Sequence, residues 1–187
     1  MAYKLVVFLG NPGTQYARTR HNVGWMVADS LPGGLSWQKK FKGRFAKEGS
    51  TYLLLPETYM NKSGESVQAC VAYFSLDPEE VLVVHDETEL PLGTLQLKAG
   101  GGTAGHNGLK SLRERLGGAG FSRVRIGIGR PDRESLSSYV LTSFRPDEEP
   151  LLGKVVDEAA RTIDAIVRSA GSPLLERLER GEKITLA

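Results

Sequence analysis

The sequence has little cysteine, no long apolar run and little net charge. One cysteine, Cys70, in 187 residues excludes an internal disulfide and favours a reducing compartment. No apolar run approaches the ~20 residues that a membrane helix needs. The first residues lead directly into a strand pattern without a cleavable signal. The net charge of +2 permits a nucleic-acid partner without requiring one. These absences predict a cytoplasmic protein that is not a membrane protein.

Length and residue order predict a single domain over residues 1–187. A chain of 187 residues can bury a full core without disulfides, and the sequence contains neither an internal repeat nor a linker. Basic residues are concentrated at 39–47 and 110–130. Each cluster taken alone fits an ordinary solvated surface. Two such clusters in a chain with almost equal numbers of positive and negative charges indicate positive patches on the surface.

The hydrophobic pattern predicts about five strands interleaved with helices. Residues 4–9 and 81–84 are continuous apolar runs, as in strands buried on both faces. The other strand patterns cover residues 45–55, 94–98 and 123–129. Helical spacing begins after His21, near Ser63, at Leu109 and at about Asp147, with a short helix expected within 132–143 and a terminal helix and tail after Gly171. The fold class is therefore α/β, a mixed, mostly parallel twisted sheet with helices on both faces. Cys70 falls on the buried stripe of the second helix and is predicted to be core.

Polar side chains follow several of these strands. They are Asn11 with His21, Tyr59 with Asn61, His85 with Asp86, and His106 with Asn107. In open α/β sheets, sites form outside the carboxyl ends of the strands. We therefore expect these side chains to gather at one edge of the sheet.

A histidine and a carboxylate among them suit general-base chemistry. A helix N-terminus next to His21 favours its neutral form, and Asp86 could hold the tautomer and stabilise the imidazolium. No G-x-S-x-G motif supplies a side-chain nucleophile, so water is the expected nucleophile. Asn11 could donate to a developing oxyanion, and Asn61 and Asn107 could bind amide or carbonyl groups. Each of these asparagines taken alone could equally be a turn or capping residue.

Two other readings of the motifs stay open at this point. Gly100, Gly102 and Gly105 satisfy G-x-G-x-x-G, the dinucleotide fingerprint, but the acidic residue expected about 20 positions later is missing. The three histidines, His21, His85 and His106, could form a zinc triad, although their spacing gives no support. A structural role is the alternative for His85.

The ordered motifs of the chain resemble the bacterial-type peptidyl-tRNA hydrolase family. Leu-Gly-Asn-Pro-Gly at 9–13 is followed by Tyr16 and by Thr-Arg-His-Asn-Val-Gly at 19–24. Four further blocks follow in family order, at residues 56–64, 85–87, 100–110 and 123–129. The resemblance implies one α/β domain, a monomer, no cofactor and no metal. It also implies a role in translation and ribosome rescue, with peptidyl-tRNA as the partner.

The resemblance also assigns roles by position. It makes His21 the catalytic base, Asp86 its partner, and Asn11 the group that recognises the blocked α-nitrogen. It assigns the peptide and the tRNA 3′ end to a groove lined by Tyr16, Tyr59, Asn61 and Asn107. Lys98 and Arg125 match residues that contact the tRNA 5′-phosphate. The implied reaction is hydrolysis of the ester between a peptide and the 3′ ribose of tRNA by activated water. A catalytically inactive RNA-binding module on the same fold is the alternative.

Overall fold

The computed structural model describes residues 2–187, so Met1 of the expected domain lies outside the described residues. The strands are β1 Leu5–Phe8, β2 Gln38–Lys40, β3 Gly43–Glu48, β4 Thr51–Pro56, β5 Val81–Glu87, β6 Thr94–Ala99, β7 Ser122–Gly127 and β8 Lys183–Thr185. The α-helices are α1 Val23–Asp29, α2 Ser63–Phe74, α3 Asn107–Leu116, α4 Leu136–Tyr139, α5 Glu149–Val167 and α6 Pro173–Glu179. Strands and helices alternate through most of the chain, which confirms the α/β class.

The eight strands form one mixed sheet in the order β2-β3-β4-β1-β5-β7-β6-β8. The three pairings of β4 with β1, β1 with β5 and β5 with β7 are parallel. The hairpin strands at one edge, and β6 and β8 at the other, pair antiparallel. The parallel part is thus the centre of the sheet, where the apolar runs of β1 and β5 are buried on both faces.

Three stretches differ from the prediction of about five strands. Residues 38–40, where no strand was predicted, form β2, which pairs antiparallel with β3. Residues 45–55 form two antiparallel strands rather than one, because the chain turns at Gly49, whose φ of +61° suits a glycine. Residues after α6 form β8, which pairs with β6. The apolar pattern marks the buried strands, whereas the turn at Gly49 and the edge pairings decide how many strands there are.

Two apolar clusters cover the two faces of the sheet. One lies beneath α1 and α5 and is centred on Phe8 and Val84. The other lies beneath α2 and α3 and includes Leu112 and Cys70. Burial raises the pKa of the Cys70 thiol to about 12, so this cysteine behaves as a core hydrophobe. Among residues 2–187, none of the helices has the length and apolar composition to cross a membrane.

Helix α1 packs unusually close to the central strands because of Gly24. A Cβ at this position would stand 2.6 Å from the Leu9 carbonyl oxygen and 2.8 Å from that of Val84. Only a residue without a side chain permits this approach. The close packing fixes the start of α1, and the residues just before it, over the carboxyl ends of β1 and β5.

Candidate active site

His21 lies at the carboxyl end of β1, in a loop whose first and last residues are hydrogen-bonded to each other. It sits in the 3-10 turn Arg20–Asn22 immediately before α1. Asn22 accepts a hydrogen bond from the Asn11 amide at 2.9 Å and donates to the Asn11 carbonyl at 3.0 Å. These two bonds close the loop that follows β1, and they hold the buried His21 in place.

Asp86, near the end of β5, lies between two histidines. Its Oδ2 is 2.8 Å from His21 Nδ1, and its Oδ1 is 2.8 Å from His106 Nε2. The carboxylate is buried, and both imidazole side chains are almost buried. The sequence predicted the pair of His21 and Asp86, but it did not assign His106 to the site.

The hydrogen bonds fix which nitrogen of each ring carries a proton. His106 Nδ1 accepts from the amides of Gly108 and Leu109 at 3.1 and 3.3 Å, because the ring caps helix α3. His106 Nε2 must therefore carry the proton and donate it to Asp86. His21 likewise donates from Nδ1 to Asp86, which leaves the lone pair on Nε2. Within residues 2–187, no protein group is hydrogen-bonded to that nitrogen.

The same contacts set the charges of the site. Burial opposes ionisation of Asp86, but the two histidines outweigh it and lower the pKa of this carboxyl well below its usual range. For His21, burial lowers the pKa, but the adjacent Asp86 carboxylate raises it overall above 6.5. The helix-dipole argument alone favoured the neutral ring, so the ion-pair partner decides the direction. Asp86 thus makes His21 a stronger base.

His85 takes no part in the hydrogen bonds of Asp86 with His21 and His106, although its ring meets that of His106 edge to face with centroids 5.3 Å apart. Its Nδ1 donates to the Asp86 carbonyl oxygen at 2.8 Å, and its Nε2 has no partner among the described residues. Burial lowers its pKa well below 6.5, with His106 and Arg123 acting in the same direction. His85 is therefore a neutral side chain that fixes the backbone of Asp86, in keeping with the structural reading.

A groove runs over the base as two adjoining cavities. The larger, of about 420 Å³, extends over Asp86 and His106, and the smaller, of about 270 Å³, extends over Asn11 and Tyr59. Both cavities are lined by His21, Asn107, Ser137 and Val140. A substrate with two dissimilar halves can therefore lie in the two cavities with its reacting bond beside His21.

Asn11 presents its amide nitrogen to the smaller cavity. Its Oδ1 accepts from the Met60 amide at 2.7 Å, which fixes the orientation of the side chain. Its Nδ2 has no protein acceptor within residues 2–187. The free group of Asn11 is therefore a hydrogen-bond donor, which suits a carbonyl oxygen or an oxyanion.

Four predicted substrate contacts, Tyr16, Tyr59, Asn61 and Asn107, surround the smaller cavity. Tyr59 is 52 % exposed, and its φ of +66° is a strained conformation for a residue with a side chain. Its ring meets Tyr16 edge to face, with centroids 6.3 Å apart. Asn61 lies on the next turn, Met60–Lys62. Asn107, the first residue of α3, borders both cavities.

Lys98 and Arg125 lie farther along the sheet, on β6 and β7. The register places Lys98 opposite Arg123 and Arg125 opposite Gln96. Arg125 donates to Glu87 at 2.9 Å and also contacts Gln96 and Glu89, so its charge is largely matched. Arg123, which sequence reasoning did not single out, binds the Gly100 carbonyl at 3.0 Å. The predicted cationic pair is therefore a row of three cations with Glu87 at its inner end.

The hydrogen bonds argue against the two other readings of the motifs. A dinucleotide would need free amides at the start of α3, but the His106 ring already accepts from two of them. Among residues 2–187, the group compact enough to hold a metal is His21, Asp86 and His106, with ligand atoms within 4.8 Å of one another, rather than the three histidines. His106 Nε2 carries a proton there, and moving it to Nδ1 would oppose two amide donors. The donor set fits a proton network better than a metal centre.

Sequence reasoning placed His106 among the polar side chains at the strand ends and in the zinc reading, but gave it no part beside Asp86, and it missed the segment 136–144. His106 follows a glycine-rich loop and precedes a helix, and nothing in this local pattern shows that its ring reaches Asp86 on β5. The segment 136–144 supplies Ser137 and Val140 to the groove, and no motif marked it.

The chain is similar to known peptidyl-tRNA hydrolases along nearly its whole length. The protein-family model described as peptidyl-tRNA hydrolase matches residues 5–184. Peptidyl-tRNA hydrolase of Synechococcus sp. (strain JA-3-3Ab) is 44% identical over 186 residues, covering 95% of this chain and 83% of that protein. The enzyme of Treponema pallidum is 49% identical over 168 residues, covering 82% and 83%. The crystal structure of peptidyl-tRNA hydrolase from Acinetobacter baumannii superposes with a TM-score of 0.83 at 36% identity, covering 95% of this chain and 93% of that one. The chain therefore belongs to the peptidyl-tRNA hydrolase family.

Proposed function

We propose that the protein hydrolyses the ester bond between a peptide and the 3′ ribose of tRNA, with His21 as the general base. The observation that carries this proposal is the unpartnered Nε2 of His21, with Nδ1 held by Asp86, at the junction of two cavities. Family membership gives the substrate class, and the geometry gives the reacting nitrogen.

In the proposed reaction, water between His21 Nε2 and the ester carbonyl loses a proton to the ring as its oxygen attacks. The buried Asp86 carboxylate stabilises the imidazolium that forms. Collapse of the tetrahedral intermediate breaks the bond to the ribose 3′ oxygen, which takes the proton from Nε2. General-base assistance of this kind is worth about 10²–10⁴-fold.

Asn11 gives the proposal a chemical basis for selectivity. Its free Nδ2–H can donate to an oxyanion or to the acyl carbonyl of an N-blocked residue. An unblocked α-ammonium group is only a donor, so it cannot satisfy Asn11 and would bring a positive charge against it. The site should therefore prefer N-blocked aminoacyl-tRNA to free aminoacyl-tRNA.

The finer features of binding belong to the same proposal. Tyr16, Tyr59, Asn61 and Asn107 would contact the peptide and the unpaired 3′ end, since exposed rings stack on bases. Lys98 and Arg125 would contact the 5′-phosphate. We further propose that residues 1–187 act as one domain and one monomer, in the cytoplasm where translation produces peptidyl-tRNA.

The test is release of N-acetyl-amino acid from N-acetyl-aminoacyl-tRNA, with and without EDTA, beside His21→Ala and unblocked aminoacyl-tRNA. We expect cleavage that survives EDTA, spares the unblocked substrate and falls about 10²–10⁴-fold in the variant. Loss of activity on chelation would favour a metal role for His21, Asp86 and His106. A folded wild-type protein that binds tRNA without cleaving it would instead support the inactive binding module.

A further inference from the structure

A buried ion pair lies directly behind His21. The Arg20 guanidinium donates to both carboxylate oxygens of Glu148, at 3.0 and 2.8 Å. It also lies over the rings of Tyr139 and Phe144, 4.4 and 4.9 Å from their centroids. Burial raises the pKa of Glu148, but hydrogen bonds from Arg20 and from the Arg145 amide lower it overall, so the pair is ionised.

This pair joins the turn that carries His21 to one side of the groove. We call residues 136–144 the wall segment. The Arg20 amide donates to the Thr142 carbonyl at 2.9 Å, and the His21 amide donates to the Val140 carbonyl at 2.8 Å. The Arg20 Nε also reaches Thr142 Oγ1 at 3.0 Å. The backbone of His21 and the wall segment are therefore held by one set of bonds centred on Arg20.

The wall segment matters because it borders both cavities. Ser137 and Val140 line each cavity together with His21. A shift of this segment would move one side of the groove and the main chain of the base together. Misplacement of reacting groups by about 1 Å can cost ~10²-fold in rate.

We propose that Arg20, acting through Glu148, is a positioning residue: it sets the distance between His21 and the wall segment and so aligns the base with the bound ester. This inference rests on the proposed function. A buried ion pair is a weak source of stability, because apolar residues of similar volume often replace one without loss. Its directional bonds to Glu148, Thr142 and the neighbouring rings are what apolar residues cannot supply.

The chain contains a matched control for this pair. Arg18 donates to both oxygens of Glu149 at 3.0 Å and joins the same two parts of the chain. The side chains of Arg18 and Glu149 are 66% and 42% exposed, whereas those of Arg20 and Glu148 are 3% and 9% exposed. Exposed pairs contribute little, so Arg18 variants report the effect of losing an ion pair without losing the buried contacts.

The experiment compares Arg20→Lys with Arg18→Lys, together with the double variant Arg20→Met/Glu148→Met. Each is assayed at a temperature where circular dichroism shows it fully folded. We expect kcat/KM of Arg20→Lys to fall up to about 10²-fold, mainly in kcat, because lysine cannot form the two-pronged contact. Arg18→Lys should stay within about twofold of the wild type. The double variant should melt at or above the wild-type temperature and still have lowered kcat.

Amide hydrogen exchange supplies a readout that is independent of turnover. The amides of Arg20 and His21 should exchange faster in Arg20→Lys, while those of β5 remain as in the wild type and in Arg18→Lys. Wild-type kcat in folded Arg20→Lys or in the double variant overturns the proposal, as does uniformly faster exchange across the sheet. If the wild-type protein cleaves no blocked tRNA, the proposed function fails, and local exchange still decides whether Arg20 holds the wall segment.

Discussion

Replacing Asp86 by asparagine should disable His21 by imposing the wrong tautomer. Asparagine offers one oxygen and one NH₂ group where the carboxylate offers two oxygens. His106 must donate from Nε2, because its Nδ1 caps α3, so the oxygen of Asn at 86 has to face His106. The NH₂ group then faces His21 Nδ1, and His21 must carry its proton on Nε2. A protonated Nε2 cannot take a proton from water.

The size of the loss follows from the role of the base. A general base contributes about 10²–10⁴-fold, and the equivalent change in the serine-protease triad costs about 10⁴-fold. We expect Asp86→Asn to lower kcat by an amount within this range, which corresponds to about 3–5 kcal/mol of transition-state stabilisation. Substrate binding should change little, since the Asp86 side chain is only 1% exposed and both of its oxygens are bonded to the histidines.

The assay is single-turnover cleavage of N-acetyl-aminoacyl-tRNA by Asp86→Asn, His106→Ala and the double variant. In the double variant, the amide at position 86 is free to turn its oxygen toward His21 Nδ1, which restores the productive tautomer. We therefore expect the double variant to be more active than Asp86→Asn alone, although it has lost one more side chain. Equal or lower activity of the double variant would refute the tautomer argument.

Three further predictions concern pH, selectivity and stability. His21 acts as a base in its neutral form, and Asp86 raises its pKa. We therefore expect kcat/KM to increase with pH through an apparent pKa above 6.5 and then to level off. An apparent pKa below 6.5 would contradict the ion pair with Asp86. Asn11→Asp replaces a hydrogen-bond donor by a negatively charged acceptor. The ratio of kcat/KM for N-acetyl-aminoacyl-tRNA to that for aminoacyl-tRNA should therefore fall. An unchanged ratio would show that Asn11 does not contribute to selectivity. Gly24→Ala should destabilise the fold by about 1–3 kcal/mol in urea unfolding, because its Cβ meets two backbone oxygens. Gly153→Ala, on α5 with nothing within 4 Å of the added Cβ, should instead stabilise the fold by up to about 1 kcal/mol. Equal changes in the free energy of unfolding for the two variants would show that helix propensity, not close packing, sets the effect of adding a Cβ.

Local sequence patterns were sufficient for the central strands, for the main helices and for the family, but not for β2, β8 or the turn that divides residues 45–55. Apolar runs predicted β1 and β5, and helical spacing predicted α2, α3 and α5. Both patterns can be seen in the sequence because the buried side chains of a strand or helix recur every few residues. The alternation of side chains along a strand also separates His85 from Asp86, which point to opposite faces. The ordered motifs identified a family that the comparisons then confirmed.

The arrangement of protons and charges was decided by tertiary structure. The bond between Asp86 and His106 joins residues 20 apart, and that between Arg20 and Glu148 joins residues 128 apart. No local period encodes such pairs. The orientation of the Asn11 amide likewise depends on the Met60 amide, which a different strand brings to it.

The sequence by itself thus determined the central strands and the main helices, the residues at the strand ends and the likeness to peptidyl-tRNA hydrolases. Only the tertiary structure decided that His106 shares Asp86 with His21, that Glu87 pairs with Arg125, and that Arg20 is buried. The physical reason is that hydrogen bonds and ion pairs depend on directions and distances between distant segments. Secondary-structure patterns depend only on which side chains are apolar and how they are spaced.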